Sequence, residues 1–495
     1  MTKEAPPDPA DPVGSTGSSP QVETSSDAGS GESASDTGDV DASVEELVED
    51  PRTPVPDEPI APRVPRIAPW RSGYRLNDLL GDGVAGTLVA VLLVPQALAY
   101  AQLAGLPSDV GIAAAVVAPV VYALFARNRF LALGPVALVS LLVGDAVGPE
   151  DAVGTALLLA AMIGLVLVVL GGLRLGFVFR VFTPPVLAGF VAGAAILIVT
   201  SQVGTMLDVP VERGVPPVAA WGQVVGELPE ANAISALVGG LVLVGLLVLP
   251  RVLRRLLRVE ESDGVWRGHV VRALPLALVF LAAVATELLH LEDRGVATLG
   301  VVELPSMMPS LPSLSGVPWA QLAGSAVVIS LVAAVTTLAI AQDLARREGE
   351  DVSTNRELFS LGASSMFVSV FGGYPIGGSL SRSAVAADSG GRSPLAAVVG
   401  AALLVVATLV AGDLLGAIPR TALAGLIMAA AISVLNPREV GEVWSQDRRI
   451  AVVMAVPFVV VVALGPVAGL VAAVAAGGVH LWLERGDGGA SSSDD

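Results

Sequence analysis

Long apolar runs almost free of charge set the first limit on what this chain can fold into. Residues 152–170 and 322–342 contain no charged side chain at all. A membrane-spanning helix needs about 20 consecutive apolar residues, and these runs meet that length. A soluble domain carries about a quarter of its residues as Asp, Glu, Lys or Arg. Here the charged share is 15% and the hydrophobic share 53%. A transmembrane barrel would show short alternating segments, which the sequence lacks. The expected class is an all-α polytopic membrane protein.

Hydropathy divides the chain into fourteen segments. Eleven are about 79–103, 111–125, 152–170, 177–203, 233–249, 273–289, 322–344, 359–371, 395–410, 421–435 and 450–464, with a last one at 467–483. The remaining two, 134–147 and 379–390, are too short to cross a bilayer. Each is third in a set of seven, and each follows a Gly/Pro-rich stretch: LALGPVALVS in the first half and GGYPIGGSLSRS in the second. Polar, glycine-broken backbone at membrane depth survives only where protein buries it or a cavity receives it. Paired short segments at matching positions point to a site between inverted repeats. The expectation is therefore 7+7 inverted repeats, with segments 3 and 10 as half-helices.

Charge orients the segments. Arg63, Arg66, Arg71 and Arg75 precede segment 1, and Arg127/Arg129, Arg174/Arg180, Arg251–Arg258, Arg346/Arg347, Arg438 and Arg448/Arg449 fall on the same side. The opposite loops carry only Arg213, Arg294 and Arg420. The positive-inside rule places that basic face, and with it both termini, in the cytoplasm of a cell whose plasma or inner membrane holds the protein. The net charge of −18 is mostly local, because residues 1–60 hold 15 Asp/Glu against Lys3 and Arg52. Residues 1–70 read as a disordered acidic tail, and 486–495 as a short cytoplasmic end.

Two half-helices that meet head to head bring two N-termini to the bilayer midplane. Each presents unsatisfied N–H groups and about half a positive charge, which together make an anion site without metal. The expected donors are backbone groups around Pro135, Val136 and Ala137 and around Ser379, Leu380 and Ser381, with the Ser379 and Ser381 hydroxyls. Arg382 supplies a full positive charge; the competing role is a salt bridge to Asp388 or Asp413. Gln96 and Tyr100 lie one turn apart in segment 1 and share a face; a plain helix–helix contact is the alternative. Thr336 and Thr337 are a mid-membrane polar pair in segment 8. Cysteine is absent and the three histidines lie far apart, so no metal cluster or cofactor is expected. No Walker A, Rossmann or HExxH pattern occurs, so neither an enzyme nor a nucleic-acid binder is expected. Half-helices also build pores, so a channel is the competing transport mode.

Three stretches, VPQALAYAQLAGLP (94–107), LALGPVALVSLL (131–142) and 355–399, resemble the sulfate permease family, equivalent to solute carrier family 26. The resemblance covers about 75–485. It implies a core domain (about 79–172 and 319–414) that moves like an elevator against a gate domain (about 176–291 and 418–484). It also implies a homodimer and transport of sulfate, bicarbonate, chloride or a dicarboxylate, the anion lying between segments 3 and 10. Two departures stand out. Only 484–495 follows segment 14, so no STAS domain is expected. Thr336 stands where many bacterial members place a carboxylate in segment 8, which removes the obvious partner for H+ or Na+ coupling and favours exchange or uncoupled movement. The alternatives are a nucleobase carrier of the same fold, against which Thr336 argues, and a non-transporting membrane sensor or scaffold.

Overall fold

The computed structural model describes residues 68–490, apart from 72, 127, 149–150, 213, 216, 257–264, 313–318, 350–351 and 436–447. Most of the acidic tail, the basic positions Arg63, Arg66, Arg127, Arg213, Arg258 and Arg438, and residues 491–495 lie outside the described residues.

All fourteen segments are helices. Spans 1 to 7 are Leu76–Ala104, Ser108–Phe125, Ala137–Ala146, Ala152–Gly172, Pro184–Leu207, Ala233–Leu256 and Val265–Leu288. Spans 8 to 14 are Trp319–Glu348, Thr354–Val370, Leu380–Asp388, Leu395–Gly416, Arg420–Val434, Arg448–Leu464 and Pro466–Ala490. At a rise of about 1.5 Å per residue, spans 3 and 10, with 10 and 9 residues, cover only about half of a hydrocarbon core roughly 30 Å thick. The chain reaches each of them through extended backbone. Those two stretches pair as a short antiparallel ladder, β1 (Leu133–Gly134) with β2 (Gly377–Gly378), in the register Leu133 to Gly378 and Gly134 to Gly377. The ladder satisfies backbone groups that no water reaches, the condition for extended chain at that depth.

Span 5 begins later than its hydropathy suggests. Residues Leu175–Val181 form 3-10 turns, and the α-helix opens at Pro184. Proline favours the first helical position and pushes the residue before it out of helical geometry, so Thr183-Pro184-Pro185 sets the boundary. Span 1 runs through Pro95 without interruption. The loop at 205–231 contains a further helix, Pro217–Glu227.

Two groups of spans pack internally. Span 9 lies along span 4, and span 11 along span 1; in the other group span 5 packs on spans 12 and 13, and span 12 on span 6. Small residues let spans 4 and 9 approach closely. A Cβ on Gly164 would meet Gly362 O at 2.7 Å, and a Cβ on Gly362 would meet Gly164 O at 2.7 Å. The connections between the groups are themselves joined. Leu299 N donates to Ile418 O (3.1 Å), Gly300 N to Gly416 O (3.1 Å) and Arg420 N to Ala297 O (2.9 Å). Arg420 Nε adds a bond to Thr298 O at 2.9 Å.

A buried carboxylate fastens span 1 to the start of span 11. Asp82 has 0% exposure. Its Oδ1 accepts from Arg392 N (2.6 Å) and Ser393 N (3.0 Å), and its Oδ2 from Ser393 Oγ (2.6 Å) and Tyr74 OH (2.8 Å). These backbone donors lie just before the N-cap Pro394 of span 11, where a negative charge is also favoured by the helix dipole. Burial, then the bond to Asp82, pushes the Tyr74 phenol up to about 12, so it stays protonated and remains a donor. Each buried donor left without an acceptor costs about 1–3 kcal/mol. Asp82→Ala therefore lowers the thermal unfolding midpoint in detergent clearly more than Asp82→Asn, which keeps one acceptor oxygen. Equal midpoints for wild type and Asp82→Ala would refute the role of this cap.

Candidate functional site

The β1–β2 ladder aims both half-helices at one point. It is lengthened by Ser379 N, which donates to Ala132 O (3.1 Å), and by Ala132 N, which donates to Ser383 Oγ (2.9 Å). Span 8 closes its edge, where Gly378 N donates to Thr337 Oγ1 at 2.9 Å. Behind the ladder, Tyr374 OH and Ser140 Oγ share a bond of 2.7 Å that ties the approach to span 10 to the body of span 3. Tyr374 and Ser140 both have 0% exposure. The frame is therefore buried, whereas the helix starts are open: Val136, Ala137 and Leu138 are half-buried, and Leu380 and Ser381 are exposed.

Arg382 sits between these starts and is wholly buried. Its Nη1 donates to Gln96 Oε1 at 2.6 Å and its Nη2 to Pro135 O at 3.0 Å. Its Nε has no partner. Among the described residues no carboxylate lies within 4 Å of the guanidinium; Asp388 pairs with Arg272 instead. Gln96 completes the link to span 10 by donating Nε2 to Ser381 Oγ at 3.4 Å. Ser379 caps span 10 by accepting from Arg382 N at 3.4 Å and lies 3.3 Å from Ser381 Oγ. Tyr100 is 6% exposed, lies within electrostatic range of Arg382, and its phenol makes no hydrogen bond among the described residues. Gly134 has a φ of +152°, and a Cβ there would meet Arg382 Nη2 at 3.2 Å. The backbone thus favours glycine, and a side chain there would also press the guanidinium aside by a few tenths of an ångström.

Nine of the ten residues singled out in the sequence surround this point, but not all in the expected role. Pro135 has no N–H, so it offers its carbonyl to Arg382 rather than a donor to an anion. Span 3 has no side-chain cap at Val136, which leaves its first N–H groups to the open side. Leu380 contributes backbone at the start of span 10. Thr336 is the exception: its hydroxyl donates back to Val332 O (2.8 Å) and Ala333 O (3.3 Å) of its own helix. Its neighbour Thr337 holds the ladder. Tyr374, Ser140 and Ser383 gave no separate sequence signal beyond lying in the two polar stretches.

The chemistry of the arrangement is that of an anion receptor. Two helix N-termini and one buried cation converge, with uncommitted donors at Arg382 Nε and Tyr100 OH. Among the described residues no group of three His, Cys, Asp or Glu is placed to hold a metal ion.

Fold and site together define a multi-pass helical membrane protein of the inverted-repeat class with two facing half-helices. The model of the sulfate permease family matches residues 79–457, and the chain belongs to that family. It is 30% identical over 388 residues to "Sulfate transporter 4.1, chloroplastic" of Arabidopsis thaliana, covering 77% of this chain and 55% of that protein. The chain thus spans little more than half the length of that relative. Among solved structures it is similar to the murine Solute Carrier 26 family member A9 anion transporter in the inward-facing state, with a TM-score of 0.75 at 20% identity, covering 90% of this chain and 75% of that one. The transmembrane domain of the cyanobacterial bicarbonate transporter BicA gives a TM-score of 0.67 at 20% identity, covering 80% of this chain and 98% of that one.

The two adjacent threonines separate structural from local roles. Thr337→Val leaves the buried Gly378 N–H without an acceptor and costs about 1–3 kcal/mol. Thr336→Val removes only a bond to its own helix and stays within about 0.5 kcal/mol. Thermal unfolding of the two variants checks the order, and a larger loss at Thr336 would reverse the assignment.

Proposed function

We propose that this protein carries small inorganic anions across a membrane by alternating access. The anion binds between the N-termini of spans 3 and 10, at the backbone of Val136 and Ala137, the backbone and hydroxyls of Ser379, Leu380 and Ser381, and Arg382, with Gln96 and Tyr100 on the facing wall. The observation that carries this reading is a fully buried guanidinium with no carboxylate within 4 Å among the described residues and one N–H left unused. An intramembrane arginine is costly unless it has a partner, and a bound anion supplies one. The name of the plant relative supports an oxyanion substrate. Sulfate or bicarbonate is the favoured cargo, ahead of chloride or a dicarboxylate.

Spans 1–4 and 8–11 form the moving core, and spans 5–7 and 12–14 the gate; the packing of span 9 on span 4 and span 11 on span 1, and of span 5 on spans 12 and 13, supports the division, while span 7 touches both groups. Both termini face the cytoplasm, and the protein works as a homodimer. Thr336 and Thr337 bring no carboxylate to span 8, so exchange or uncoupled movement is favoured over H+ or Na+ symport.

Radiolabelled sulfate and bicarbonate uptake into proteoliposomes, with imposed pH or Na+ gradients, tests the reading. Wild type takes up one or both. Arg382→Ala lowers uptake at least tenfold, about 1.4 kcal/mol or more of lost anion stabilisation. Unchanged flux in a well-folded Arg382→Ala protein would remove the site, and no wild-type flux of any of the four anions would remove the function.

A further inference from the structure

The nine-residue span 10 is held at its other end by span 7, which the reading above places in the gate. Arg272, in span 7, donates Nη2 to Asp388 Oδ2 at 2.9 Å and Nη1 to Ser389 Oγ at 2.9 Å. Asp388 is the last residue of span 10, and Ser389 is its C-cap. A cation at a helix C-terminus is favoured by the dipole. The helix is about 13 Å long, so Asp388 and the helix start at Leu380 and Ser381 are the two ends of one short element.

We infer that Arg272 is a positioning residue that latches the gate onto the anion-binding helix, and that this latch opens in each transport cycle. The inference rests on the anion-carrier reading given above. Two contrasting ion sites support it. Asp82 joins spans 1 and 11, both within the core, and is fully buried with four donors. Arg272 joins core to gate, and its pair is open to water, with 28% exposure for Arg272 and 52% for Asp388. Exposed ion pairs contribute little and are screened by salt. A permanent fastening is built like the first, and a contact that must break repeatedly is built like the second. The latch also lies at the opposite end of span 10 from the anion, so gate position and site geometry are read by one rod.

The chain contains no cysteine, so cross-linking can be placed without background. Arg272 and Asp388 are changed together to cysteine in the full chain. They are bridged by a short bis-methanethiosulfonate reagent, because ion-paired side chains of this length leave the Cα atoms too far apart for a direct disulfide. Cross-linked protein is expected to lose more than tenfold of its sulfate or bicarbonate uptake and to regain it on reduction. Its equilibrium anion affinity, read as anion-dependent thermal stabilisation, stays within about threefold. Full uptake while cross-linked, or failure of the two sites to cross-link, overturns the latch. In a second arm, Arg272→Asp lowers uptake about two- to fivefold, the scale of one exposed pair, and Arg272→Asp with Asp388→Arg restores it; absence of rescue counts against the latch. Should the wild type carry no anion, the carrier reading fails by itself. Hydrogen exchange then decides the latch: Arg272→Ala must speed exchange across residues 380–389, and unchanged exchange there rejects it.

Discussion

Much of this molecule follows from one uncomfortable charge. Arg382 has no access to water, and the nearest full dipoles, the starts of spans 3 and 10, have the same sign as its own charge. Two neutral acceptors, Gln96 Oε1 and the Pro135 carbonyl, offset only part of the cost of removing a guanidinium from water, which is of the order of several kcal/mol. The charge is therefore under-compensated by its protein partners, and the proposed anion would supply the rest. Such a charge stays put only if its surroundings are stiff. The β1–β2 ladder, the Thr337 hydroxyl at its edge and the Tyr374–Ser140 bond behind it provide that stiffness with neutral groups alone.

The broad architecture was legible because the bilayer leaves so few choices. Length and charge-free runs fix the long spans, and a Gly/Pro-broken run at membrane depth has to be a half-helix. The detail was not legible where it depends on rotation or on distant partners. Consecutive helical residues point about 100° apart, so hydropathy could not say which of Thr336 and Thr337 faces the ladder. Pro135 was expected among backbone donors, but what it offers is a carbonyl, because the guanidinium that reaches it comes from residue 382. Asp82, near the start of span 1, gave no signal of its own in the sequence. Its meaning lies in Ser393, more than three hundred residues away, and no local pattern encodes that pairing. The late start of span 5 is a case where local chemistry was readable in Thr183-Pro184-Pro185 and hydropathy overrode it.

The two groups of spans differ in how they are bound together. Within a group the contacts are dry: glycines in van der Waals reach at Gly164 and Gly362, and a buried cap at Asp82. Between the groups, the polar contacts Arg272–Asp388 and Arg420–Thr298 are partly open to solvent. Dry contacts have no substitute when separated, whereas wet ones exchange a protein partner for water at small cost. The apolar faces of spans 1 and 11 still meet those of spans 5, 7 and 12 in one buried cluster, so the wet contacts lie at the rim of a dry interface.

The linker ladder at 297–300 and 416–420 has a mechanical consequence. Its backbone bonds at Leu299, Gly300 and Arg420 run between two strands of chain that each connect one group to the other. Strands joined in this way resist sliding past one another, since a slip would break several bonds together, but they tolerate twist, which paired strands adopt by nature. Two separate cords would let one body wander on the other in several directions. Two cords stitched side by side have fewer of those freedoms than two that run apart.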